Sequence, residues 1–287
     1  MTLDRSKKIL IIGLGLIGGS YADALTSAGY EVGAVDTDEK TIEYALSRGI
    51  IRHGRSSPDS DYVTGFDLVV LALYPHILTE WIEKYQDRLK PGALLTDVTG
   101  VKCCVIYKIQ NMLRGDLEFI GAHPMAGREK SGIESCDKEI FRGANYIVTP
   151  TDKNTERAIA ECTALGEVLG FGTVTSLSPE KHDEMIAFLS QLTHCIAVSL
   201  MTSRDTAALA GYSGDSFRDL TRIAKINDEM WSELFLSNRD ELLRQMDAFD
   251  AAFKKLKKTI EDGDREGMRE IMRLSTEQRV LFDKKEV

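Results

Sequence analysis

The chain has 287 residues, of which 43% are hydrophobic and 28% are charged, and its formal net charge is −9. This length predicts about two domains with real apolar cores. The acidic balance argues against a nucleic-acid-binding surface, because such surfaces are basic. It also means that an anionic ligand must be met by a few placed cations and not by the field of the whole protein.

Cysteine usage and targeting signals indicate a reducing compartment. The five cysteines are scattered and form no C-x-x-C pair, which favours free thiols over a disulfide framework or a zinc site. Residues 1–8 are polar, so no signal peptide is predicted. No apolar run approaches the roughly 18 residues that would span a membrane. We therefore expect a soluble, cytoplasmic protein without a metal site.

A glycine motif, Gly13-x-Gly15-x-x-Gly18, follows the first strand-like run, and a helical pattern follows the motif. Gly13 allows a tight turn, Gly15 lets the backbone approach a pyrophosphate, and Gly18 lets the helix pack closely on the strand. The N–H groups at the helix N-terminus would then meet the phosphates. A flexible turn is the alternative, but the strand before and the helix after favour a dinucleotide site.

The second predicted strand ends in Asp36, and an acidic residue about 20 positions beyond the glycines is what a ribose 2′-hydroxyl requires. A carboxylate there repels a 2′-phosphate, and no arginine follows before Arg48. The predicted cofactor is therefore NAD and not NADP. The candidate cofactor contacts are Gly13, Gly15, Leu16, Ile17, Gly18, Asp36 and Leu73.

Strand and helix signals alternate through the first half of the chain. Strands are predicted at residues 8–12, 31–35, 66–74, 93–98, 117–122, 145–149 and 172–175. Helices are predicted at residues 20–28, 38–47, 76–88, 101–112 and 154–169. Strands that alternate with helices of this length predict an α/β fold, a doubly wound parallel sheet of the Rossmann type.

The pattern changes at Ser178 and Pro179, where a serine cap and a proline at the first helical position mark a helix start. No strand-like run follows. We predict a dinucleotide-binding domain over residues 1–176 and an all-helical substrate and dimerisation domain over residues 177–287. Residues 240–261 carry an apolar stripe with helical spacing, which fits a bundle core or a homodimer interface.

Polar clusters follow three predicted strands, at residues 74–76, 97–102 and 123–132. In open α/β sheets the ligand binds outside the carboxyl ends of the strands. His123 leaves its strand directly into Pro124, which would hold the imidazole where a substrate beside a nicotinamide sits. An imidazole can take a hydroxyl proton near neutral pH. A structural histidine that ends a strand is the alternative.

Five motifs carry a family resemblance and occur in this order: GLGLIGGS at 13–20, TDVTGVK at 96–102, HPMAGREKSG at 123–132, SPEKHD at 178–183 and FRDLTRIA at 217–224. With them the chain resembles the prephenate/arogenate dehydrogenase family of tyrosine biosynthesis over nearly all of its length. The resemblance implies a short form without the C-terminal regulatory domain that some relatives carry.

The resemblance also implies an activity, the NAD-dependent oxidative decarboxylation of prephenate to 4-hydroxyphenylpyruvate. His123 would be the hydrogen-bonding base for the reacting hydroxyl, and Arg222 would clamp a carboxylate. A planar guanidinium suits that task better than an ammonium does. The remaining implied substrate contacts are His194, Gln191, Thr99 and Trp231. His182 is interpreted as structural, because regular helical spacing sets it off the face of His194.

Two positions depart from the family pattern. Gly100 stands where the family has a serine that would bond the same hydroxyl as the histidine, and Gln191 stands where a further histidine is expected. Thr99 offers a neighbouring hydroxyl, but adjacent residues of an extended segment point to opposite faces.

Three alternatives stay open. An arogenate dehydrogenase differs only in an amino group on the substrate, which favours an acidic neighbour, and neither Gln191 nor His194 is acidic. A β-hydroxyacid-type dehydrogenase would need a catalytic lysine on the first helix after the sheet, where Lys181 lies near the start. A non-catalytic dinucleotide sensor would explain the missing serine.

Overall fold

The computed structural model describes residues 3–128, 130–205 and 207–283; Glu129 of the third motif lies outside these ranges. One sheet contains eight strands, β1 (Lys8–Ile12), β2 (Glu31–Val35), β3 (His53–Arg55), β4 (Leu68–Leu71), β5 (Leu94–Asp97), β6 (Glu118–Pro124), β7 (Asn145–Thr149) and β8 (Thr173–Ser176). Their spatial order is β3-β2-β1-β4-β5-β6-β7-β8. The predicted Rossmann-type α/β fold is confirmed.

The helices alternate with the strands and then continue alone. They are α1 (Leu16–Ser27), α2 (Glu39–Ser47), α3 (Ser60–Val63), α4 (Pro75–Tyr85), α5 (Cys103–Met112), α6 (Glu156–Val168), α7 (Pro179–Ile186), α8 (Thr193–Thr202), α9 (Asp215–Thr221), α10 (Asp228–Ser237), α11 (Arg239–Glu261) and α12 (Arg265–Val280). α7 starts as predicted, because the Ser178 side chain accepts a hydrogen bond from the Lys181 backbone N–H at 3.2 Å.

The central strand β1 shows why its sequence is apolar without alternation. Ile9 and Ile11 belong to the core on the side of α1 and α6, whereas Leu10 and Ile12 belong to the core on the side of α4 and α5. All four side chains are at most 2% exposed. A strand covered by helices on both faces needs an apolar residue at every position.

Two features of the sheet differ from the sequence-based expectation. The edge strand β3 was not predicted, because three residues are too short for a periodic signal. β7 pairs antiparallel with β6, whereas the other neighbouring strands are parallel. Between β6 and β7 the described residues form only short 3₁₀ turns, at Ile133–Ser135 and Lys138–Phe141. A parallel partner requires a longer crossover connection, usually a helix.

Residues 1–238 and 239–287 form two compact units. The first unit contains the whole sheet and α1 to α10; the second contains α11 and α12, which pack against each other. α11 confirms the predicted long helix, and Phe249, Phe253 and Ile260 of its apolar stripe are exposed. The boundary between residues 176 and 177 stays a prediction.

The continuous helical stretch Pro179–Thr202 is long enough to cross a membrane, and an 18-residue window within it is apolar enough, with a mean hydropathy of 1.5. The expectation that no stretch approaches the length and hydropathy of a membrane-spanning helix is therefore wrong. Polar residues interrupt the apolar run, but they do not lower its mean hydropathy enough. The same test is passed by core helices of soluble proteins. His182 and Asp183 lie at its start, in buried hydrogen bonds within the first unit.

Candidate active site

The glycine loop between β1 and α1 has the geometry of a phosphate-binding turn. Gly13 has a φ of +88°, and a Cβ there would lie 2.6 Å from the carbonyl oxygen of Ala72. A Cβ at Gly18 would collide with the Gly13 carbonyl, whereas a Cβ at Gly15 would meet nothing within 4 Å. The Gly15 side of the loop is therefore open, and α1 begins there without a side-chain cap. Its first N–H groups suit an anion.

Asp36 lies beside this loop at the end of β2. Its carboxylate accepts hydrogen bonds from the backbone N–H of Leu14 at 2.7 Å and from that of Asp38 at 3.0 Å. Leu73 follows β4, and its Cδ2 would lie 3.1 Å from a Cβ on Gly13. Strand ends β1, β2 and β4 thus bring the predicted cofactor contacts to one edge of the sheet.

A buried ion pair lies at the end of the neighbouring strand β5. Lys102 Nζ is 2.6 Å from Asp97 Oδ2, and both side chains are fully buried. Asp97 Oδ1 also accepts from the backbone N–H of Ala122 at 2.9 Å. Burying two charges is costly unless each finds further hydrogen bonds. This network fixes the end of β6 one residue before His123.

Thr99 belongs to the same network. Its hydroxyl lies 2.8 Å from the Val101 carbonyl oxygen, accepts from Lys102 Nζ at 3.1 Å and is hydrogen-bonded to the Asp97 carboxylate. The residue is only 5% exposed. These contacts give Thr99 a supporting position under the site.

The imidazole of His123 is the end of a chain of three side chains. His123 Nδ1 lies 2.8 Å from His182 Nε2, and His182 Nδ1 lies 2.7 Å from Asp183 Oδ1. Asp183 also accepts from two backbone N–H groups at the start of α5, those of Lys102 at 2.9 Å and Cys103 at 2.8 Å. His182 and Asp183 are buried, whereas His123 is partly accessible.

Electrostatics keep His123 neutral. Burial, with the neighbouring His182 and the Lys102 ammonium, holds the pKa of His123 well below its usual value of 6.5. Burial also lowers the pKa of His182, although Asp183 opposes the shift. For Asp183 burial acts to raise the pKa, but the hydrogen bonds from His182 and from the α5 backbone outweigh it and lower the pKa. Asp183 is therefore ionised at neutral pH.

Gly100 lies directly in front of His123. A Cβ at Gly100 would lie 3.8 Å from His123 Nε2 and 3.6 Å from Leu234 Cδ1, both ordinary contact distances. The φ of Gly100 lies outside the left-handed region. The backbone thus accepts a side chain here, and the position faces the nitrogen that a substrate hydroxyl would meet.

A second wall of the site comes from α8 and α10. His194 stacks on Trp231 with ring centroids 3.7 Å apart and an angle of 28° between the planes. His194 Nδ1 donates to the Ser190 carbonyl at 2.8 Å. Glu233 holds α10 against the start of α4, since its carboxylate accepts from His76 N and is 2.7 Å from His76 Nδ1.

Gln191 holds α10 from the other side. Its Nε2 donates to the Leu234 carbonyl at 2.9 Å, and its Oε1 accepts from Asn238 Nδ2 at 2.9 Å. The side chain is 1% exposed. Both ends of the amide are thus engaged within the first unit, which gives Gln191 a supporting position.

Arg222 begins a 3₁₀ turn, Arg222–Ala224, directly after α9. The turn packs against α8, the helix that carries His194. The Arg222 side chain is exposed. The structure thus brings the predicted carboxylate clamp to the helix of a second predicted substrate contact.

Comparison with known proteins decides the family. A family model described as prephenate dehydrogenase, nucleotide-binding domain, matches residues 21–171, and a second described as prephenate dehydrogenase, dimerization domain, matches residues 178–274. The chain belongs to the prephenate dehydrogenase family. The predicted family is confirmed.

Individual relatives of this prephenate dehydrogenase family member are similar over most of their length. Prephenate dehydrogenase of Bacillus subtilis is 29% identical over 91% of this chain and 72% of its own. Cyclohexadienyl dehydrogenase of Zymomonas mobilis is 32% identical over 90% of each chain. A crystal structure of prephenate dehydrogenase from A. aeolicus in complex with hydroxyphenyl propionate and NAD⁺ has a TM-score of 0.89 and 30% identity, and covers 99% of this chain and 100% of its own.

Sequence reasoning missed the contact between His182 and His123. It assumed a regular α-helix from residue 182 to residue 194, but Ala187–Leu192 is a π-helical turn. A π turn takes more residues per turn than an α turn, so face assignments across it shift. The available signal was the adjacent His182-Asp183 pair at a helix start, since a histidine next to a carboxylate is a common way to orient an imidazole.

Proposed function

We propose that this prephenate dehydrogenase family member catalyses the NAD-dependent oxidative decarboxylation of prephenate to 4-hydroxyphenylpyruvate. The observation that carries the proposal is the buried chain Asp183–His182–His123, which presents His123 Nε2 at the carboxyl edge of the sheet. A general base needs a neutral imidazole that is held in position, and here His182 and the Asp183 carboxylate hold it.

The glycine loop and Asp36 fit NAD. The open Gly15 side and the first N–H groups of α1 would hold the pyrophosphate, and Asp36 would accept from the ribose 2′-hydroxyl. When bound, NAD supplies the nicotinamide that accepts a hydride from the substrate. The A. aeolicus relative, with NAD⁺ bound in its structure, supports this assignment.

The residues of this chain would then have three tasks. His123 Nε2 accepts the hydrogen bond of the substrate 4-hydroxyl, because its pKa keeps it neutral. Arg222 binds a substrate carboxylate, and the stacked pair His194 and Trp231 bounds the pocket on the side of α8 and α10. Loss of carbon dioxide aromatises the ring and drives the reaction, so the protein need only position the substrate and the base.

Gln191 and Thr99 take supporting roles in this proposal. Gln191 fixes α10, which carries Trp231, and Thr99 completes the buried network under β6. Both were predicted as substrate contacts, and their hydrogen bonds within the fold are the reason for the reassignment.

Arogenate is the alternative substrate. It carries an amino group where prephenate carries a keto group, and an ammonium favours a nearby carboxylate. His194 and Gln191, the two residues weighed for that contact, provide none. The Zymomonas mobilis relative is named for the broader cyclohexadienyl class. We propose prephenate as the substrate because neither His194 nor Gln191 offers a carboxylate to an ammonium group.

We further propose a cytoplasmic homodimer with a domain boundary at residues 176 and 177. The gap between the two family matches lies there, and the second match is described as a dimerization domain. The exposed apolar side chains of α11 would be covered by a second copy. All five thiols are free, as expected of a reducing compartment. Sedimentation as a monomer at micromolar concentration would contradict the dimer.

The test is turnover of prephenate with NAD, followed by NADH absorbance, with arogenate and NADP as parallel arms. We expect turnover with prephenate and NAD, and a much lower catalytic efficiency in each other arm. Higher efficiency with arogenate would reassign the substrate. Cofactor binding without turnover of either substrate would instead support the sensor hypothesis.

A further inference from the structure

The chain Asp183–His182–His123 contains one histidine more than a base and its orienting carboxylate require. We propose that His123 and His182 form a proton relay in which His182 holds the proton of the substrate hydroxyl during the reaction. This inference rests on the proposed function and adds to it a second histidine and a path for the proton.

The directions of the hydrogen bonds follow from Asp183. The two carboxylate oxygens of Asp183 accept hydrogen bonds from the backbone N–H groups of Lys102 and Cys103, and a backbone N–H can only donate. His182 Nδ1 must therefore carry a hydrogen and donate to Asp183 Oδ1 at 2.7 Å. In the neutral resting state His182 Nε2 is then an acceptor, His123 Nδ1–H donates to it at 2.8 Å, and His123 Nε2 holds the free lone pair.

The proton transfers balance within the chain. As the ring carbon gives up its hydride, the hydroxyl O–H bond breaks and a bond forms between that proton and His123 Nε2. The Nδ1 proton of His123 passes to His182 Nε2, so the positive charge rests on His182 beside the Asp183 carboxylate. When the C–C bond to the departing carboxylate breaks and the ring becomes aromatic, both protons return, and the product keeps its hydroxyl.

The surroundings make His182 a better resting place for the charge than His123, because Asp183 opposes the lowering of the pKa of His182 by burial and no carboxylate in the described part of the chain does so for His123. His182 is 0% exposed, so bulk water cannot take the proton from it. The charged groups around it are Asp183 on α7 and the Asp97–Lys102 pair from β5 and the start of α5. Lys102 is already paired with Asp97 at 2.6 Å. The thiols of Cys103 and Cys104 at the start of α5 have raised pKa values through burial and the nearby Asp183, so they stay neutral.

His182→Gln separates the relay from mere orientation. A glutamine amide can donate to Asp183 and accept from His123 Nδ1–H, but it cannot take up a proton. The same change at His53, which lies on the edge strand β3, is the matched control. Single-turnover rates measured in mixtures of H₂O and D₂O report how many protons move with the chemical step, and they are not masked by product release.

For the wild type and His53→Gln we expect a curved dependence of the rate on the deuterium fraction, as two moving protons require. For His182→Gln we expect a straight line and a rate lower by about 10–100-fold, part of the usual weight of acid–base catalysis, with an unchanged KM for prephenate. A straight line for the wild type, or an unchanged rate in His182→Gln, overturns the relay and leaves His182 an orienting group.

The imidazole ¹⁵N shifts of the full chain test the relay without any turnover. We expect His123 to be protonated at Nδ1 and bare at Nε2 at neutral pH, with the same tautomer for His182. The opposite tautomer of His123 overturns the relay even if prephenate is turned over. Lack of turnover together with the expected tautomers would instead count against the proposed function alone.

Discussion

The two ends of the candidate site are built in different ways. At the reacting end, His182, Asp183, Asp97 and Lys102 are at most 2% exposed, and every one is hydrogen-bonded within the first unit. At the binding end, Arg222 lies exposed in a short turn. The difference teaches that the proposed base is fixed in place by the fold, whereas the proposed carboxylate clamp lies at the surface. Prearranged dipoles lower a barrier most where water is excluded.

Removing the base should break the reacting end and give the largest effect. His123→Asn should cut kcat by about 10²–10⁴-fold, the usual weight of general acid–base help. NAD binding should be unchanged, because the glycine loop is on other strand ends. Stopped-flow turnover and calorimetric NAD titration measure the two quantities. Full activity in the variant would take His123 out of the reaction.

Changing the cation should weaken the binding end and leave the base untouched. Arg222→Lys replaces a planar fork by a point charge, with an expected loss of about 2–3 kcal/mol, or roughly 30- to 150-fold in kcat/KM. The loss should appear in KM for prephenate, with kcat and NAD affinity preserved. An unchanged KM for prephenate would show that Arg222 is not the clamp.

The proposed cofactor contact at Asp36 belongs to neither end and serves as a separate reference. Asp36→Ala should raise KM for NAD by about tenfold through the loss of one hydrogen bond to a charged group. It should also reduce the preference for NAD over NADP, since the variant lacks the carboxylate that repels the 2′-phosphate of NADP. Equal efficiency of the unmutated protein with both cofactors would contradict this role.

Adding a hydroxyl at Gly100 should raise kcat by a small amount, because the position faces His123. The position has room for a Cβ 3.8 Å from His123 Nε2, and its φ tolerates a side chain. Gly100→Ser should therefore raise kcat by roughly 2- to 10-fold, equivalent to one hydrogen bond of about 0.5–1.5 kcal/mol. Gly100→Ala is the control without a hydroxyl. An equal gain in both variants would mean that packing, and not the hydroxyl, is responsible.

The sequence predicted the sheet well where its signals were local. The apolar run of β1, the glycines after it and the serine cap at Ser178 each determine a local structure that the fold retains. The antiparallel β7 was missed because strand direction depends on the connection, which carries no periodic signal.

The site was predicted only in part, for a related reason. His123 was found because a proline follows it at the end of a predicted strand, although in the structure both residues still belong to β6. Its partner His182 lies 59 residues further along the chain, and only tertiary packing brings the two rings together. Gln191 is hydrogen-bonded to a distant residue, Asn238, which spacing alone does not reveal. Thr99 is hydrogen-bonded within its own motif, to Asp97 and Lys102, but the sequence does not show that these side chains are buried together.

The pH dependence of kcat/KM for prephenate tests the central claim most directly, since it reports ionisation of the free enzyme. His123 must be neutral to act, and burial, His182 and Lys102 hold its pKa well below 6.5. The acid limb of the profile should therefore lie below pH 6.5. As the pH is lowered from neutral, kcat/KM should stay constant until this limb is reached and should then fall as His123 takes up a proton. An acid limb above pH 6.5, or activity that rises as the pH falls, would contradict a preset neutral base.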